Sequence, residues 1–268
     1  MKYLIKYILI LILAIPAYAT DISAYFNGTY SDIKSSKAKL EEAGFTVLAV
    51  TKVDKIGKYN SIIFTNETLK NVANIEGRGF IATMKLLVDN VNKKVRVTNP
   101  DYFARAYMQD DYKDGMLDSV TNSLKKEFGP FKGSIDKLDI DVLGKFHFMF
   151  GMPYYEDVMV LGKGKTNELV ALAENNSNKE HIFTLKLSDD RFLVAIDLKK
   201  RTKKFVKKLG LHNGALLPYT ILIENGKAVA MSPKYYISLS YPLLSMSEFT
   251  TIATVPGAVK KELSKLFK

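Results

Sequence analysis

Several residue types that stabilise folds or carry chemistry are absent or scarce in this chain. It has no cysteine, no tryptophan and only three histidines in 268 residues. Without cysteine there are no disulfides, no thiol catalysis and no cysteine-ligated metals, so the fold depends on burial alone. The histidines, His147, His181 and His212, lack the spacing that places two imidazoles on one helix face. We therefore expect no metal site.

Motifs for cofactors and catalysis are also missing. The letters GKT at residues 164–166 end like a phosphate loop, but Met159 stands where that motif needs its first glycine. Asp139 and Asp141 begin like a calcium loop, but Phe150 occupies the twelfth position, which requires a bidentate carboxylate. No Gly-x-Ser-x-Gly elbow occurs. We expect no cofactor, and these absences favour a non-catalytic protein without excluding an enzyme.

The first 19 residues predict an export signal. Lys2 and Lys6 precede an apolar run over residues 7–15, and Ala-Tyr-Ala at residues 17–19 offers small residues for cleavage. The run is shorter than the roughly 20 residues that a membrane-spanning helix needs. We expect cleavage after Ala19 and an exported, periplasmic protein.

The chain is basic, with a formal net charge of +11. In a cytosolic protein this charge would suggest nucleic acid, because lysine and arginine release counterions from phosphate. The predicted export argues against that partner, so we expect no nucleic acid. A small ligand or an anionic envelope surface remain the candidate partners.

One stretch of the sequence has a similar counterpart later in the chain. The stretch KLLVDNVNKKVRVTNPDYF from Lys85 matches TILIENGKAVAMSPKYY from Thr220 in its apolar positions, its acid before the turn and its Pro-x-Tyr-aromatic end. Each stretch predicts a strand, a turn and a second strand. Asn225 and Gly226 provide the left-handed positions of a tight hairpin. The match extends to the strand and helix before each hairpin and to the helix after it.

The repeat predicts two tandem, similar units. They cover residues 22–130 and 145–268, and residues 131–144 form a connector with at most one short strand. Hairpins dominate over long crossovers, so we expect an α+β fold in which each unit is a mainly antiparallel sheet covered by helices.

Four stretches of the chain resemble the domain of unknown function 302 family. They are AGF at residues 43–45 after a predicted helix, FTN at 64–66, VTNPDYFARAY at 97–107 and LLPYTILIENGKAVAMSP at 216–233. The resemblance covers most of the chain after the export signal. It implies a fold similar to that of the TATA-binding protein, and it supplies no catalytic residues.

Residues 198–210, LKKRTKKFVKKLG, predict a basic amphipathic helix. Leu198, Phe205 and Leu209 lie on one helix face, and cations occupy the others. The equivalent segment of the first copy keeps the apolar spacing with only Lys70 as a cation. Such a helix either docks with a solvated outer face or contacts an anionic surface. The candidate contact residues are Lys199, Lys200, Arg201, Lys203, Lys204, Lys207 and Lys208.

Aromatic residues follow the hairpin in both copies. They predict either a ligand cleft between the units or packing at the end of a sheet. In a cleft, Arg105 would meet a carboxylate or a phosphate. The candidate ligand residues are Asn99, Tyr102, Arg105, Tyr107, Tyr235 and Tyr236.

Three hypotheses about function follow from these features. The leading one is a non-catalytic binding or accessory protein with a ligand site between the two repeat units. The alternative is an envelope-associated module that binds anionic lipid or polymer through the basic helix. The third is an enzyme that acts at the interface of the units.

Overall fold

The computed structural model describes residues 20–268, so the predicted export signal lies outside the described residues. In this part of the chain, antiparallel sheets of six and five strands combine with helices, which confirms the α+β class. The strands are β1 (Asp21–Ser23), β2 (Tyr25–Gly28), β3 (Thr46–Lys52), β4 (Tyr59–Thr65), β5 (Met84–Asp89), β6 (Lys94–Thr98), β7 (Lys132–Gly133), β8 (Lys137–Asp139), β9 (Met159–Lys163), β10 (His181–Ser188), β11 (Arg191–Ile196), β12 (Tyr219–Glu224) and β13 (Lys227–Ala230).

The α-helices are α1 (Ile33–Glu42), α2 (Glu67–Ala73), α3 (Pro100–Met108), α4 (Asp118–Phe128), α5 (Thr166–Ser177), α6 (Phe205–Leu209), α7 (Pro233–Ser240), α8 (Met246–Thr251) and α9 (Val255–Leu263). Short 3-10 helices cover Gly79–Ala82, Gln109–Asp111, Ile140–Lys145, Asn178–Glu180, Thr202–Lys204, Leu211–Leu216 and Ser264–Phe267. Within residues 20–268, no helix combines the length and apolar character needed to cross a bilayer.

The two larger sheets share one strand order. The first runs β3-β4-β5-β6-β2-β7 and the second runs β10-β11-β12-β13-β9. With β2 matched to β9 and β3–β6 matched to β10–β13, the orders coincide, and β7 is an additional edge strand. A separate small sheet pairs β1 with β8. The two predicted units therefore contain sheets of the same topology.

The matching hairpins differ at their turns. Asn225 and Gly226 join β12 to β13 with φ angles of 50° and 67°, which are the left-handed conformations of the predicted tight turn. Residues 90–93 join β5 to β6, so the first turn is two residues longer. The predicted hairpin is confirmed in each unit.

The connector holds more structure than predicted. Within residues 131–144, β7 pairs with β2, and β8 pairs with β1. The expectation of at most one strand is wrong, because strands of two or three residues are too short to show a periodic pattern. Both strands pair with the beginning of the first unit.

The two sheets turn one face toward each other. Ile63 of β4 packs with Phe183 and Ala195 of the second sheet, and the Ser61 hydroxyl donates to the Leu217 carbonyl at 3.1 Å. Helices α1 and α5 pack against the first and second sheet, respectively. Strands β4 and β5 are buried almost throughout, including polar residues such as Asn60, Ser61 and Lys85.

Two glycines mark a reciprocal close approach of the units. A Cβ at Gly79 would lie 2.3 Å from a methyl group of Leu222 in the second unit, and a Cβ at Gly214 would lie 2.6 Å from a methyl group of Val53 in the first. Gly79 and Gly214 are 135 positions apart, the offset that aligns Lys85 with Thr220. Equivalent positions therefore both approach the opposite unit closely, although the side chains that they meet lie on elements that are not equivalent.

Candidate anion-binding groove

Tyr102 and Tyr235, two of the predicted ligand residues, connect the units. The Tyr102 hydroxyl in α3 donates to the Leu239 carbonyl at 2.7 Å, and the Tyr235 hydroxyl in α7 donates to the Ala106 carbonyl at 3.3 Å. Both tyrosines are buried. The two donors are 133 positions apart, as are the two acceptors, so the hydrogen bonds are reciprocal. This structural role accounts for both hydroxyl groups.

Removing these hydroxyl groups should destabilise the fold. Tyr102→Phe removes the side-chain donor to the buried Leu239 carbonyl, and Tyr235→Phe removes one donor to the Ala106 carbonyl, which keeps the Gln109 side chain as a donor. We expect Tyr102→Phe to lower the free energy of unfolding by about 1 kcal/mol and Tyr235→Phe to lower it by less. Urea unfolding monitored by circular dichroism measures the effect. Tyr154→Phe, at a half-exposed tyrosine, is the control and should leave stability unchanged. Unchanged stability in both interface variants would contradict the structural role.

Asn99 and Arg105 also have partners within the protein. The Asn99 side chain caps α3 and donates to the Ser23 carbonyl at 2.7 Å. The Arg105 guanidinium forms ion pairs with Asp101 at 3.1 Å and Asp114 at 2.9 Å. Arg105 is therefore engaged by acids of its own unit at the surface, away from the aromatic cavity between the units.

That cavity holds a buried amine. Tyr107, Tyr236 and Lys85 line a space of about 30 Å³ at the unit boundary, which is room for about one water molecule. The Lys85 amine donates to the carbonyls of Leu216 and Pro218 at 3.2 and 2.9 Å and contacts the Tyr236 hydroxyl at 2.9 Å. Burial lowers the pKa of Lys85 to about 7. The cavity is too small for a ligand of ordinary size.

The segment predicted as one basic helix, residues 198–210, is only partly helical. Residues 198–201 are not helical and precede a 3-10 turn and α6. The Glu262 carboxylate in α9 accepts hydrogen bonds from the Lys199 backbone N–H at 2.6 Å and from the Thr202 hydroxyl. The prediction of a continuous helix is wrong, because this tertiary contact holds the beginning of the segment in a turn.

The charges of the basic segment, residues 199–208, point mainly outward. Phe205 and Leu209 are buried, as expected for a docked face. Lys203 is half-buried, and its amine donates to both carboxylate oxygens of Asp197 at 2.9 and 2.7 Å. The other six predicted contact residues are exposed, and they are Lys199, Lys200, Arg201, Lys204, Lys207 and Lys208.

The basic segment forms one wall of an open groove between the units. The groove has a volume of about 640 Å³. Its apolar lining consists of Val50, Val53, Ile182, Val206 and Leu211. Its basic lining consists of Lys52 and Lys55 from the first unit and Lys200, Lys203, Lys204 and Lys207 from the second. We call this site the basic groove.

The two acids of the basic groove are already engaged. The Asp54 carboxylate accepts from the backbone N–H groups of Tyr59 at 2.9 Å and Ile56 at 3.3 Å, and Asp197 pairs with Lys203. Five lysines of the groove take part in none of the ion pairs within residues 20–268, so they have no acidic partner there. These five are Lys52, Lys55, Lys200, Lys204 and Lys207. The groove therefore has uncompensated positive charge.

Two of these lysines meet across the unit boundary. Lys55 and Lys200 line the same groove, and Lys200 lies close enough to lower the pKa of the Lys55 amine, because two like charges disfavour each other. Both side chains are exposed. An anionic group between them would convert the repulsion into two favourable contacts. The arrangement is suited to a carboxylate, phosphate or sulfate.

The corresponding junction on the other side of the unit boundary lacks this charge. There, β10 contacts α2, and the guanidinium of Arg191, at the start of β11, donates to the Asn74 side-chain oxygen at 3.1 Å. Lys186 pairs with Asp189, and Lys70, the single lysine of α2, pairs with an acid of its own helix. Equivalent elements build both junctions, so the fold does not require the lysines of the basic groove.

Lys52 and Lys55 are site residues that sequence reasoning missed. They occur in the lysine-rich stretch TKVDKIGK, far in the chain from the basic segment. Only the packing of the units brings them to Lys200. The repeat in the sequence predicts two units, and it was the signal that could have suggested a junction between them.

Within residues 20–268, no three His, Asp or Glu side chains lie close enough together to hold a metal ion. Comparisons with protein-family models, with curated proteins and with solved structures find no match for this chain. The chemistry of the basic groove is therefore interpreted from its own geometry.

Proposed function

We propose that this is an exported, non-catalytic binding protein that holds an amphiphilic anion in the basic groove between two related units. The observation that carries the proposal is the convergence of Lys55 and Lys200, one from each unit, with no acid to neutralise them. The apolar lining suits a hydrocarbon or other apolar moiety, and the amines suit a carboxylate, phosphate or sulfate.

The proposal includes an internal duplication. It is supported by the shared strand order of the two sheets, by the close approach of Gly79 and of Gly214 to the opposite unit, and by the reciprocal hydrogen bonds of Tyr102 and Tyr235. Membership of the domain of unknown function 302 family belongs to the same proposal. The quoted motifs and the antiparallel α+β architecture support it.

A second candidate function is contact of the basic segment with anionic lipid or polymer. The six exposed cations of that segment favour it. The concave shape and apolar lining of the groove favour a single amphiphile over an extended flat surface. Catalysis has less support, because the acids of the groove, Asp54 and Asp197, are engaged as hydrogen-bond acceptors.

Calorimetric titration with dodecanoate, below its micelle concentration, tests the proposed function. We expect saturable binding that weakens as salt is added, because the contacting charges are exposed. Changing Lys55→Gln and Lys200→Gln together should weaken binding about tenfold, since two exposed ionic contacts contribute roughly 0.7 kcal/mol each. Dodecyl maltoside, which has the same tail without the charge, should bind more weakly.

The matched control removes two lysines at the corresponding junction. Lys70→Gln combined with Lys186→Gln lowers the net charge equally and should leave the affinity for dodecanoate unchanged. Equal affinity of all three proteins for dodecanoate would contradict the proposal. So would binding of dodecyl maltoside as tight as that of dodecanoate.

A further inference from the structure

A short apolar turn projects from the surface near the start of the second unit. The Met152 backbone N–H donates to the Met149 carbonyl at 2.9 Å, and Gly151 adopts a φ of +78° at the third position of the turn. Phe150 occupies the second position and is fully exposed, at 101 %. We call residues 149–152 the apolar tip. A hydrogen-bonded turn therefore presents a large apolar side chain to the surroundings.

The base of the apolar tip is held by aromatic contacts. Phe148 stacks on Phe249 of α8 with ring centroids 5.3 Å apart, and His147 contacts the Tyr154 ring at 4.4 Å. Residues 149–154 contain no charged side chain. The tip is thus anchored on its inner side, while its outer side has no partner among the described residues.

A second charge-poor segment lies beside the tip. The contact between Phe148 and Phe249 places the tip next to residues 241–254, whose one charged side chain is Glu248. Glu248 folds back and accepts a hydrogen bond from the Ser245 N–H at 2.8 Å. Leu243 and Met246 of this segment are about half exposed, at 57 % and 48 %. We call the exposed apolar side chains of these two segments, which the contact between Phe148 and Phe249 joins, the apolar surface; a quarter of the residues of the whole chain are charged.

Cations border this apolar surface. The Lys208 amine donates to the Thr251 carbonyl at the end of α8 at 2.5 Å, so the basic segment adjoins the charge-poor segment. Arg201 of the basic segment is also exposed. Apolar side chains beside cations match the boundary of an anionic bilayer, where acyl chains lie beneath negative headgroups. Tyr154, half exposed at the base of the tip, suits the headgroup level.

We propose that the apolar tip, together with Leu243 and Met246, is a lipid-contact surface that enters the headgroup region of an anionic membrane. Phe150 and Met149 insert, and the neighbouring cations contact the lipid phosphates. The proposal rests on residues outside the lining of the basic groove, so either proposal can fail without the other.

The absence of tryptophan makes a direct test possible, because a single introduced indole reports its own surroundings. Phe150→Trp places the probe on the tip, and Ile135→Trp is the matched control at another exposed apolar position, 76 % exposed. With vesicles of phosphatidylcholine and phosphatidylglycerol, we expect the emission of F150W to shift to the blue and to be quenched by brominated lipids. The emission of I135W should not change.

A second variant measures the contribution of the tip to binding. Changing Met149→Ser and Phe150→Ser together should weaken partitioning onto these vesicles about tenfold or more, given the apolar area withdrawn from water. Because both side chains are exposed, the thermal unfolding midpoint should not change, which separates loss of lipid contact from loss of folding.

Three outcomes would overturn the proposal. They are an unshifted F150W emission with vesicles, an equal shift for F150W and I135W, and a blue shift of F150W that grows with protein concentration in the absence of lipid. The last result would assign the apolar tip to contact between copies of this chain.

Discussion

Raising the pH from 7 to 9 should stabilise the protein by about 2 kcal/mol through one side chain, Lys85. Its amine is buried between the units and donates to the carbonyls of Leu216 and Pro218, without an acid beside it. Burial lowers its pKa from the ordinary 10.5 to about 7 in the folded protein. The unfolded chain keeps the ordinary value.

The sign of the effect follows from the protons bound in each state. Below pH 7, Lys85 is charged in both states, and the folded state carries the full cost of burying that charge. Between about pH 7 and 10.5, the folded protein has released the proton and the unfolded chain still holds it. Stability therefore rises with pH across this window, by up to about 1.4 kcal/mol per pH unit.

Urea unfolding at pH 7 and pH 9 measures the effect, with Lys85→Met as the control. The methionine fills a similar volume without an amine, so its stability should lack the rise seen in the wild type. The buried tyrosines oppose the rise slightly, because burial raises their pKa values above those of the unfolded chain, but both proteins share them. Parallel pH profiles would contradict the prediction and would mean that the three oxygen acceptors keep the amine charged.

Gly214→Ala should lower the free energy of unfolding by about 1–3 kcal/mol. The added Cβ would lie 2.6 and 2.7 Å from the two methyl groups of Val53, closer than real Cβ contacts allow. A valine side chain is stiff, so relief requires a shift of the backbone where the two units meet. The loss of stability therefore arises at the interface between the units.

A double-mutant cycle tests whether the clash with Val53 causes this loss of stability. Val53→Ala removes the clashing methyl groups, so Gly214→Ala should cost less in that background than in the wild type. Gly257→Ala, in α9 with open space around the Cβ position, is the matched control and should be neutral or slightly stabilising. Equal costs of Gly214→Ala in both backgrounds would show that contact with Val53 is not the cause.

The hairpins and the α+β class were predictable because their signals are local. Asn225 and Gly226 favour one turn type, and apolar runs on both sides of that turn favour strands. The basic segment was harder, because the contact of Glu262 with Lys199 comes from a distant part of the chain. The spacing of apolar residues predicts which face of a helix is buried. It does not predict a hydrogen bond from a distant residue that holds part of the segment out of the helix.

The candidate site was predictable only in part, for a related reason. The lysines of the basic segment were identified from their number, whereas Lys55 was missed because its meeting with Lys200 depends on how the units pack. Tyr102 and Tyr235 were predicted as related positions, but residue type alone does not distinguish a ligand contact from a hydrogen bond between units. Lys85 was not identified as a buried amine, because its neighbours in the sequence are mostly apolar and predict a strand.

The asymmetry of the two junctions bears on stoichiometry. In a symmetric dimer of separate subunits, a lysine placed at one junction would appear at the other as well, and two ligands would bind. Here both units are parts of one chain, so Lys55 and Lys200 occupy one junction alone. The covalent link also keeps the units at a high effective concentration, which lets their interface tolerate like charges. One anion per chain is therefore the expected saturation.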